Sequence, residues 1–485
     1  MSEVAPKSPA IRSQSAHCSE EGSVMGLERR ERRKVEDVKD QPQENRPATV
    51  SSNQETKQAG ETLPRWDWVE PSVWTTRMLT ALENGVKGGK WFSLMDKVYG
   101  IENLRVSFAK VKKNGGARGI DQISTQLYEK QGEINLLRLQ KRLQEGSYRP
   151  SPVRRVWIPK PGNPNEKRPL GIPTVEDRIV QTALRNVMEP IYEKGFAECS
   201  YGFRPHRGCK DALRQVERLL QKGYRWVVDA DIQRFFDTIP FEPLMRETEK
   251  QVADGRVLEL LRGYLTQGVM ESGKQGNPTQ GTPQGAVISP LLANIYLNPL
   301  DHLLEATGHQ MIRYADDLVI FSQTQEEAQE ALQLLQNWMK QAHLQLHPEK
   351  TRVVDMDRNE GFNFLGYHFQ RGTRWPTRKS LRKLKENLRK KTHRSNGQSL
   401  QIIIQDVNDS LRGWFNYFQH SCHPAFRPID QWIRMRLRSI LRKRNGGHGR
   451  ERGTDHKRWT NSFFTLWGLF SLTDSHRVLC QSLRR

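Results

Sequence analysis

The sequence predicts an α+β protein, because stretches with strand-like and with helical patterns both recur along its 485 residues. Residues 311–321 carry two adjacent aspartates between apolar runs, which predicts two buried strands joined by a tight turn. Residues 225–237 predict a further buried strand that carries an acid to its end. Residues 325–343 instead repeat alanine and leucine at helical spacing, which predicts an amphipathic helix.

The two adjacent aspartates, Asp316 and Asp317, are the first candidate functional residues. Neighbouring carboxylates at low dielectric repel each other unless a cation or a basic side chain neutralises them. Mg²⁺ suits this arrangement, because it prefers carboxylate oxygens and is usually held by one or two acids together with substrate phosphates. Asp231 is a third candidate ligand, but Asp229 lies on the same side of its strand, so spacing leaves both open. An acidic surface turn is the alternative for an isolated pair.

The charge distribution indicates a polyanionic partner. The formal net charge is +22. Residues 1–60 contain 10 Lys and Arg and 10 Asp and Glu, whereas residues 373–485 contain 25 against 7, a net charge of +18. Because tryptophan and phenylalanine are interspersed with this charge, nucleic acid binding is favoured over a merely solvated basic surface.

Composition also limits the class of protein. The five cysteines include no C-x-x-C pair, which argues against a zinc module or a disulfide framework and fits a reducing compartment. The sequence has no run of about 18 apolar residues and no N-terminal signal core, so we expect a soluble protein that is not secreted and has no membrane partner. Residues 1–62 lack aromatic residues and are rich in polar ones, which predicts a disordered polar tail.

Residues 153–173 predict a hairpin of two cationic strands joined by a loop of glycine and proline. Lys160 and Arg168 flank this loop. Such a hairpin can fold over a triphosphate, and a mobile surface hairpin is the alternative.

Eight short blocks along the chain resemble, in the same order, those of group II intron-encoded reverse transcriptases/maturases. The blocks are residues 114–121, 158–160 with 168–173, 200–205, 231–237, 281–285, 314–317, 347–351 and 364–367. Each block alone is a weak signal, but eight in the right order are highly specific. The resemblance covers nearly all of residues 90–440.

The resemblance implies a right-hand polymerase with fingers, a palm and an α-helical thumb. The implied units are the polar tail at 1–62, fingers at 63–225, a palm with the catalytic aspartates at 226–372, a thumb/maturase domain at 373–444, and a small basic DNA-binding-like region at 445–485. The implied reaction is attack of a primer 3′-OH on the α-phosphate of a dNTP, with Mg²⁺ as the cofactor.

The resemblance also implies catalytic roles for the aspartates. Asp231 and Asp316 would bridge the metal ions, and Asp317 would support them. On this basis Asp231 is chosen over Asp229.

Five further residues would bind substrate by the same resemblance. Lys160 and Arg168 would bind the triphosphate, and Gln284 would contact the sugar-phosphate region of the nucleotide. Phe236 would lie against the sugar 2′ position and exclude ribonucleotides, with core packing as the alternative. Lys350 would protonate the leaving pyrophosphate, with capping of a loop as the alternative.

Residues 411–418 resemble the maturase block, which implies that Arg412, Trp414 and Tyr417 bind intron RNA. Aromatic side chains beside a basic helix suit stacking on unpaired bases and contacts with phosphates. Packing between thumb helices is the alternative for Trp414 and Tyr417.

The resulting hypothesis is an RNA-directed DNA polymerase that also assists splicing and mobility of its host intron. The implied partners are group II intron RNA, an RNA template with a DNA primer, dNTPs and target DNA. One alternative is an RNA-binding splicing factor that keeps the polymerase fold as a scaffold. The other is a non-intron bacterial reverse transcriptase of a defence or repair system. The expected location is the bacterial cytoplasm within a ribonucleoprotein, or an organelle.

The chain departs from the family pattern at its C-terminal end. No module of paired cysteines and histidines follows the last aromatic segment. We therefore expect a protein without an endonuclease domain, whose DNA primer comes from elsewhere, such as a nascent strand at a replication fork.

Overall fold

The structure is a computed structural model that describes residues 64–160, 163–271, 273–358 and 361–482. The predicted polar tail at residues 1–62 lies outside the described residues. The side chains of Lys160 and of residues 163–165 also lie outside them, although their backbone belongs to strands.

The described chain combines runs of helices with mostly antiparallel strands, as is typical of an α+β protein. The helices are α1 (Thr76–Asn84), α2 (Met95–Val98), α3 (Ile101–Asn114), α4 (Thr125–Glu129), α5 (Gly132–Gln144), α6 (Val175–Glu193), α7 (Cys209–Gln221), α8 (Phe235–Thr238), α9 (Phe241–Glu249), α10 (Gly255–Thr266), α11 (Ser289–Ala306), α12 (Gln325–Gln341), α13 (Arg378–Lys391), α14 (Leu400–Phe418), α15 (Arg427–Arg444), α16 (Gly453–Arg458), α17 (Asn461–Leu466) and α18 (Leu472–Ser482). The strands are β1 (Val153–Lys160), β2 (Asn163–Ile172), β3 (Trp226–Asp231), β4 (Val269–Glu271), β5 (Lys274–Gly276), β6 (Gln310–Tyr314), β7 (Asp317–Ser322), β8 (Arg352–Asp355), β9 (Phe362–Phe364), β10 (Tyr367–Gln370) and β11 (Thr373–Pro376).

The central sheet has four antiparallel strands in the order β6-β7-β3-β8. Successive side chains of a strand point to opposite faces. Val228 and Leu318 therefore pack with helices α11 and α12 on one face, while Val227 and Val319 pack with α7 on the other. Because both faces are buried, the strands are apolar along most of their length, and their acids lie near one end of the sheet.

A second sheet, in the order β2-β1-β4-β5, contains the predicted cationic hairpin. Strands β1 and β2 pair antiparallel, and β1 also pairs with β4 in parallel, with Val153 opposite Val269. This sheet therefore joins segments on both sides of the boundary predicted at residue 225. The hairpin is attached to the segment that carries Asp231 rather than standing apart from it.

The C-terminal helices form one core with the basic helices that precede them. Ile433 and Leu437 of α15 share this core with Trp459, Phe464 and Leu472, which come from α18 and from the segments around α16 and α17. Residues 445–447 cap the end of α15 through backbone hydrogen bonds to its last turn. The last three helices therefore share one apolar core with α13, α14 and α15.

The described helices are too short or too polar to cross a membrane. One of the longest, α6, has Thr174 as its N-cap, and the Thr174 side chain accepts a hydrogen bond from the backbone N–H of Asp177 at 3.1 Å.

Candidate catalytic site

Three aspartates meet at one end of the central sheet. Asp231 is the last residue of β3 and lies opposite Asp317, the first residue of β7. Asp316 lies in the turn between β6 and β7. Asp316 and Asp317 are both half-buried.

Asp229 lies further from this end of the sheet. It pairs with Val319 on one side and with Arg352 on the other. Its carboxylate is 3.9 Å from the Arg352 Nε. Burial raises the pKa of Asp229 to about 6, against the opposing effect of the Arg352 charge. Asp229 therefore differs from Asp317 in having the Arg352 guanidinium group beside it. It differs from Asp231 in its position, because Asp231 lies at the end of the sheet opposite Asp317.

The turn that carries Asp316 is supported by the segment 200–205. Ala315 has a φ of +59°, a left-handed conformation that is uncommon for a residue with a side chain. A Cβ on Gly202 would lie 2.3 Å from the Ala315 nitrogen, so only glycine permits this approach. The Gly202 carbonyl accepts a hydrogen bond from Asn294 Nδ2 at 2.9 Å. The segment therefore fixes the backbone beside the acids.

A buried arginine holds the same turn from inside the protein. Arg313 and Asp301 have no exposed side-chain surface, and Arg313 Nε donates to Asp301 Oδ1 at 2.7 Å. Arg313 Nη1 donates at 3.0 Å to Asn294 Oδ1 and, at the same distance, to the Ala315 carbonyl. Sequence reasoning did not single out Arg313, although a charged residue within an apolar strand was a usable signal.

The electrostatics of the site oppose full ionisation of its acids. Burial raises the pKa of Asp317 to about 8, and the charges of Asp316 and Asp229 add to the rise. Burial also raises the pKa of Asp316, while the positive charges of Arg168 and Lys350 act in the opposite direction. A bound cation would relieve the same repulsion, which makes the donor set chemically suited to a divalent metal.

Lys350 forms an ion pair with one of these acids. Its Nζ lies 2.6 Å from Asp231 Oδ2, and the His347 N–H donates to the Asp231 carbonyl at 2.8 Å. Among the described residues, no group of three or more His, Cys, Asp and Glu side chains is arranged to hold a metal ion in this geometry. In this structure the Asp231 carboxylate is engaged by Lys350.

The predicted nucleotide-binding residues surround the acids on two connected segments. Arg168 is exposed on β2 opposite Ile158, and it is close enough to Asp316 to influence its pKa. The backbone carbonyl of Gln284 accepts a hydrogen bond from the Gly171 N–H at 2.7 Å. The cationic hairpin is therefore joined to the loop that carries Gln284. Its other predicted residue, Lys160, has a side chain outside the described residues.

Phe236 lies at the start of α8, beside that loop. Its carbonyl accepts a hydrogen bond from the Thr282 N–H at 2.6 Å, and its half-buried ring packs on Phe235 with 5.4 Å between the ring centroids. Gln181 is a buried residue that, like Arg313, was not identified from the sequence. Its side-chain oxygen accepts a hydrogen bond from the Val287 N–H at 2.8 Å. The loop is thus held at both ends.

The predicted RNA-binding residues lie on α14, and two of them, Trp414 and Tyr417, pack against the core cluster that includes Tyr314 and Ala315 beside the acids. Arg412 is exposed and stacks on Phe470, 5.7 Å from the ring centroid. Trp414 packs on Phe418 at 4.7 Å between centroids, and the Tyr417 hydroxyl donates to the Leu365 carbonyl at 2.8 Å. The two aromatic residues therefore make the packing contacts that the sequence left open as the alternative, and their RNA contact stays a prediction.

We expect the protein in a metal chelator to lose thermal stability as the pH rises. A carboxyl with a raised pKa, such as Asp317, binds its proton more tightly in the folded than in the unfolded state. Its contribution is complete below the unfolded value near 4 and is lost as the pH rises through about 8. The melting temperature, measured in EDTA at several pH values, should fall less steeply with increasing pH for Asp317→Asn than for the wild type. Equal slopes would contradict the assignment.

The acids at the sheet end, with a cationic hairpin beside them, define a nucleic acid polymerase. Residues 158–369 match the family model described as reverse transcriptase (RNA-dependent DNA polymerase), and residues 381–459 match the group II intron, maturase-specific domain. The chain belongs to the group II intron-encoded reverse transcriptases/maturases.

The chain is also similar to individual proteins. Protein YkfC of Escherichia coli K12 is 31% identical over 351 residues, which cover 64% of this chain and 87% of that protein. The group II intron-encoded protein LtrA of Lactococcus lactis subsp. cremoris is 43% identical over 159 residues, 33% of this chain and 26% of LtrA. A chain of a solved partial Cas6-RT-Cas1–Cas2 complex is 25% identical at a TM-score of 0.33, covering 51% of this chain and 41% of that chain.

The two family models and the intron-encoded relative confirm the predictions of family, fold class and enzyme class. The chain is an RNA-directed DNA polymerase with a maturase domain, and the family uses divalent metal ions and acts on nucleic acids that include intron RNA. The domain boundaries and the roles of individual residues stay predictions.

Proposed function

We propose that Asp231, Asp316 and Asp317 hold two Mg²⁺ ions and that the chain extends a DNA primer on an RNA template. The convergence of these carboxylates beside a cationic hairpin carries the proposal. Bound there, the ions would activate the primer 3′-OH and stabilise charge on the leaving pyrophosphate. To take part, Asp231 has to exchange its contact with the Lys350 ammonium for one with the ions.

The remaining site residues would orient the dNTP and move one proton. Arg168 and Lys160 would neutralise the triphosphate from the hairpin, since guanidinium groups form paired hydrogen bonds with phosphate. Gln284 would contact the sugar-phosphate region from the loop attached to that hairpin. Lys350 would carry a proton at Nζ for the leaving pyrophosphate, and its ion pair with Asp231 supports this role.

Phe236→Ala should raise ribonucleotide incorporation by roughly tenfold or more, because an aromatic ring against the sugar excludes the 2′-OH by its bulk. Single-nucleotide extension with dNTP and with the matching rNTP measures the ratio. Phe236→Tyr keeps the ring and its packing on Phe235, so its selectivity should match the wild type. Unchanged selectivity in Phe236→Ala would leave core packing as the function of this residue.

We also propose that intron RNA and target DNA bind the basic C-terminal part of the chain. This part carries a net charge of +18 over residues 373–485, and its helices share one folded core. A broad positive surface on a rigid core suits the phosphate backbone of a large structured RNA. RNA bound there would assist intron splicing and, with DNA bound, mobility of the intron.

Primer extension tests the polymerase proposal directly. Wild-type protein with an RNA template, a DNA primer, dNTPs and Mg²⁺ should extend the primer, and a chelator should stop it. Splicing of the host intron at low Mg²⁺ should be faster with the protein than without it. A folded wild-type protein that stimulates splicing but extends no primer would show an RNA-binding splicing factor instead.

A further inference from the structure

A small basic cavity lies in the C-terminal helices, apart from the acids and from the predicted RNA-binding residues on α14. Its volume is about 170 Å³, and α13, α15 and the loops that follow each of them line it. Four arginines are among the lining residues, namely Arg389, Arg394, Arg436 and Arg450. The lining residues include no acid. Within the described part of the chain, none of the four arginines forms a salt bridge with a carboxylate.

The cavity is built around two fixed side chains. Arg436 Nε donates to Thr392 Oγ1 at 2.6 Å, and its Nη2 donates to the Thr392 carbonyl at 2.7 Å. Trp432 has Arg436 at 5.4 Å, Arg389 at 5.8 Å and Lys385 at 5.7 Å from its ring centroid. Such cation–π contacts hold the positive groups in place without neutralising them. The Nη1 donors of Arg436 remain available to a ligand.

Gathering these charges costs free energy in the isolated protein. Burial lowers the pKa of Arg436, and the charges of Arg389 and Arg394 lower it further. A protein normally places a carboxylate within such a cluster, as Asp455 does for Arg442 nearby at 2.9 Å. Arg389, Arg394 and Arg450 are exposed, so solvent screens part of their mutual repulsion. Because no acid lines the cavity, an anion that enters it would supply a counter-charge that the lining residues do not.

We propose that this cavity binds a phosphate group of an RNA strand. The inference rests on the proposed function, since it assigns one contact within the proposed RNA-binding region. A cavity of about 170 Å³ has room for several water molecules, and therefore for a single phosphate group. Planar guanidinium groups from four segments suit phosphate oxygens, with which arginine forms paired hydrogen bonds. An unpaired or sharply bent strand can present a single phosphate to such a cavity.

Arg436→Lys is the most direct test, because it keeps the charge and removes the planar group that Thr392 holds in place. Binding of a short oligouridylate RNA, followed by fluorescence anisotropy, should weaken about tenfold. Arg382→Lys is the matched control on the exposed face of α13, and its affinity should equal that of the wild type. Equal affinity of Arg436→Lys and the wild type would overturn the proposal.

A second pair of variants covers the case in which Arg436→Lys fails to fold. The side chains of Arg389 and Arg394 form no hydrogen bond within the described residues, so Arg389→Gln/Arg394→Gln should fold. The slope of log affinity against log salt concentration should become shallower by roughly 0.7 in this double variant, the value for one lost contact with a single-strand phosphate. The control Arg382→Gln/Lys390→Gln removes two exposed charges from α13. Losses of the same size in both double variants would indicate a general charge effect and overturn the built site.

Two further measurements separate the possible ligands and the two proposals. Inorganic phosphate at millimolar concentration should compete with the RNA on the wild type and not on Arg436→Lys. Phosphate binding with unchanged RNA affinity in the variants would indicate a free-anion site and reject the RNA assignment. Primer extension by the wild type, run in parallel, tests the proposed function. If the wild type extends the primer and the cavity variants bind RNA normally, only the cavity proposal is rejected. If the wild type does not extend the primer and the cavity variants bind RNA more weakly, only the polymerase proposal is rejected.

Discussion

Asp316→Asn should reduce primer extension at least about a thousandfold, a loss of roughly 4 kcal/mol in transition-state stabilisation, while RNA binding stays intact. Asparagine keeps the shape of the side chain but removes the charge that a metal ion needs. Burial and Asp231 already disfavour the ionised form of Asp316, so the variant should melt no lower than the wild type in a chelator. Primer extension, RNA anisotropy and melting curves on the same preparation measure the three quantities.

Asp231→Asn and Asp229→Asn form a matched pair for the same experiment. Both residues lie on β3, and each has a basic neighbour, Lys350 for Asp231 and Arg352 for Asp229. Asp231 alone of the two reaches the end of the sheet opposite Asp317. We expect Asp231→Asn to be as inactive as Asp316→Asn and Asp229→Asn to retain most of the activity. The reverse order would transfer the metal-binding role to Asp229.

Arg313→Met should destabilise the folded protein by about 3–5 kcal/mol, because it leaves the Asp301 carboxylate buried without its partner. Such a loss is a large fraction of the 5–15 kcal/mol that typically separates folded from unfolded domains. The variant also removes a hydrogen bond to the Ala315 carbonyl, so the turn beside Asp316 should lose its fixed geometry. Primer extension below the melting temperature should therefore fall as well. Thermal and urea unfolding curves measure the first effect.

The double variant Arg313→Met/Asp301→Leu distinguishes a buried ion pair from general disruption of the core. Replacing both charges with apolar groups of similar size avoids the unpaired carboxylate, so much of the lost stability should return. Arg214→Met removes a partner of Asp211 from an exposed pair and should change the melting temperature little. A single Arg313→Met variant as stable as the wild type would show that the buried pair does not support the turn.

The sequence by itself determined the local elements and the chemistry they carry. The segments predicted as strands around Asp231 and around the Asp316 turn are β3, β6 and β7, and the helix predicted over residues 325–343 is α12. These predictions succeed because hydrophobic periodicity records which side of each element is buried. The order of the eight blocks also sufficed for the family, since each block carries residues that the chemistry needs.

Contacts between distant residues were not predictable from the sequence and are visible in the folded protein alone. The antiparallel register placed Asp231 rather than Asp229 opposite Asp317, and packing in the core paired Arg313 with Asp301. The four arginines of the phosphate cavity likewise come from two helices and two loops, where the sequence shows only a general excess of charge. Side-chain periodicity is a property of one element, whereas strand pairing, buried ion pairs and cavities depend on contacts between elements.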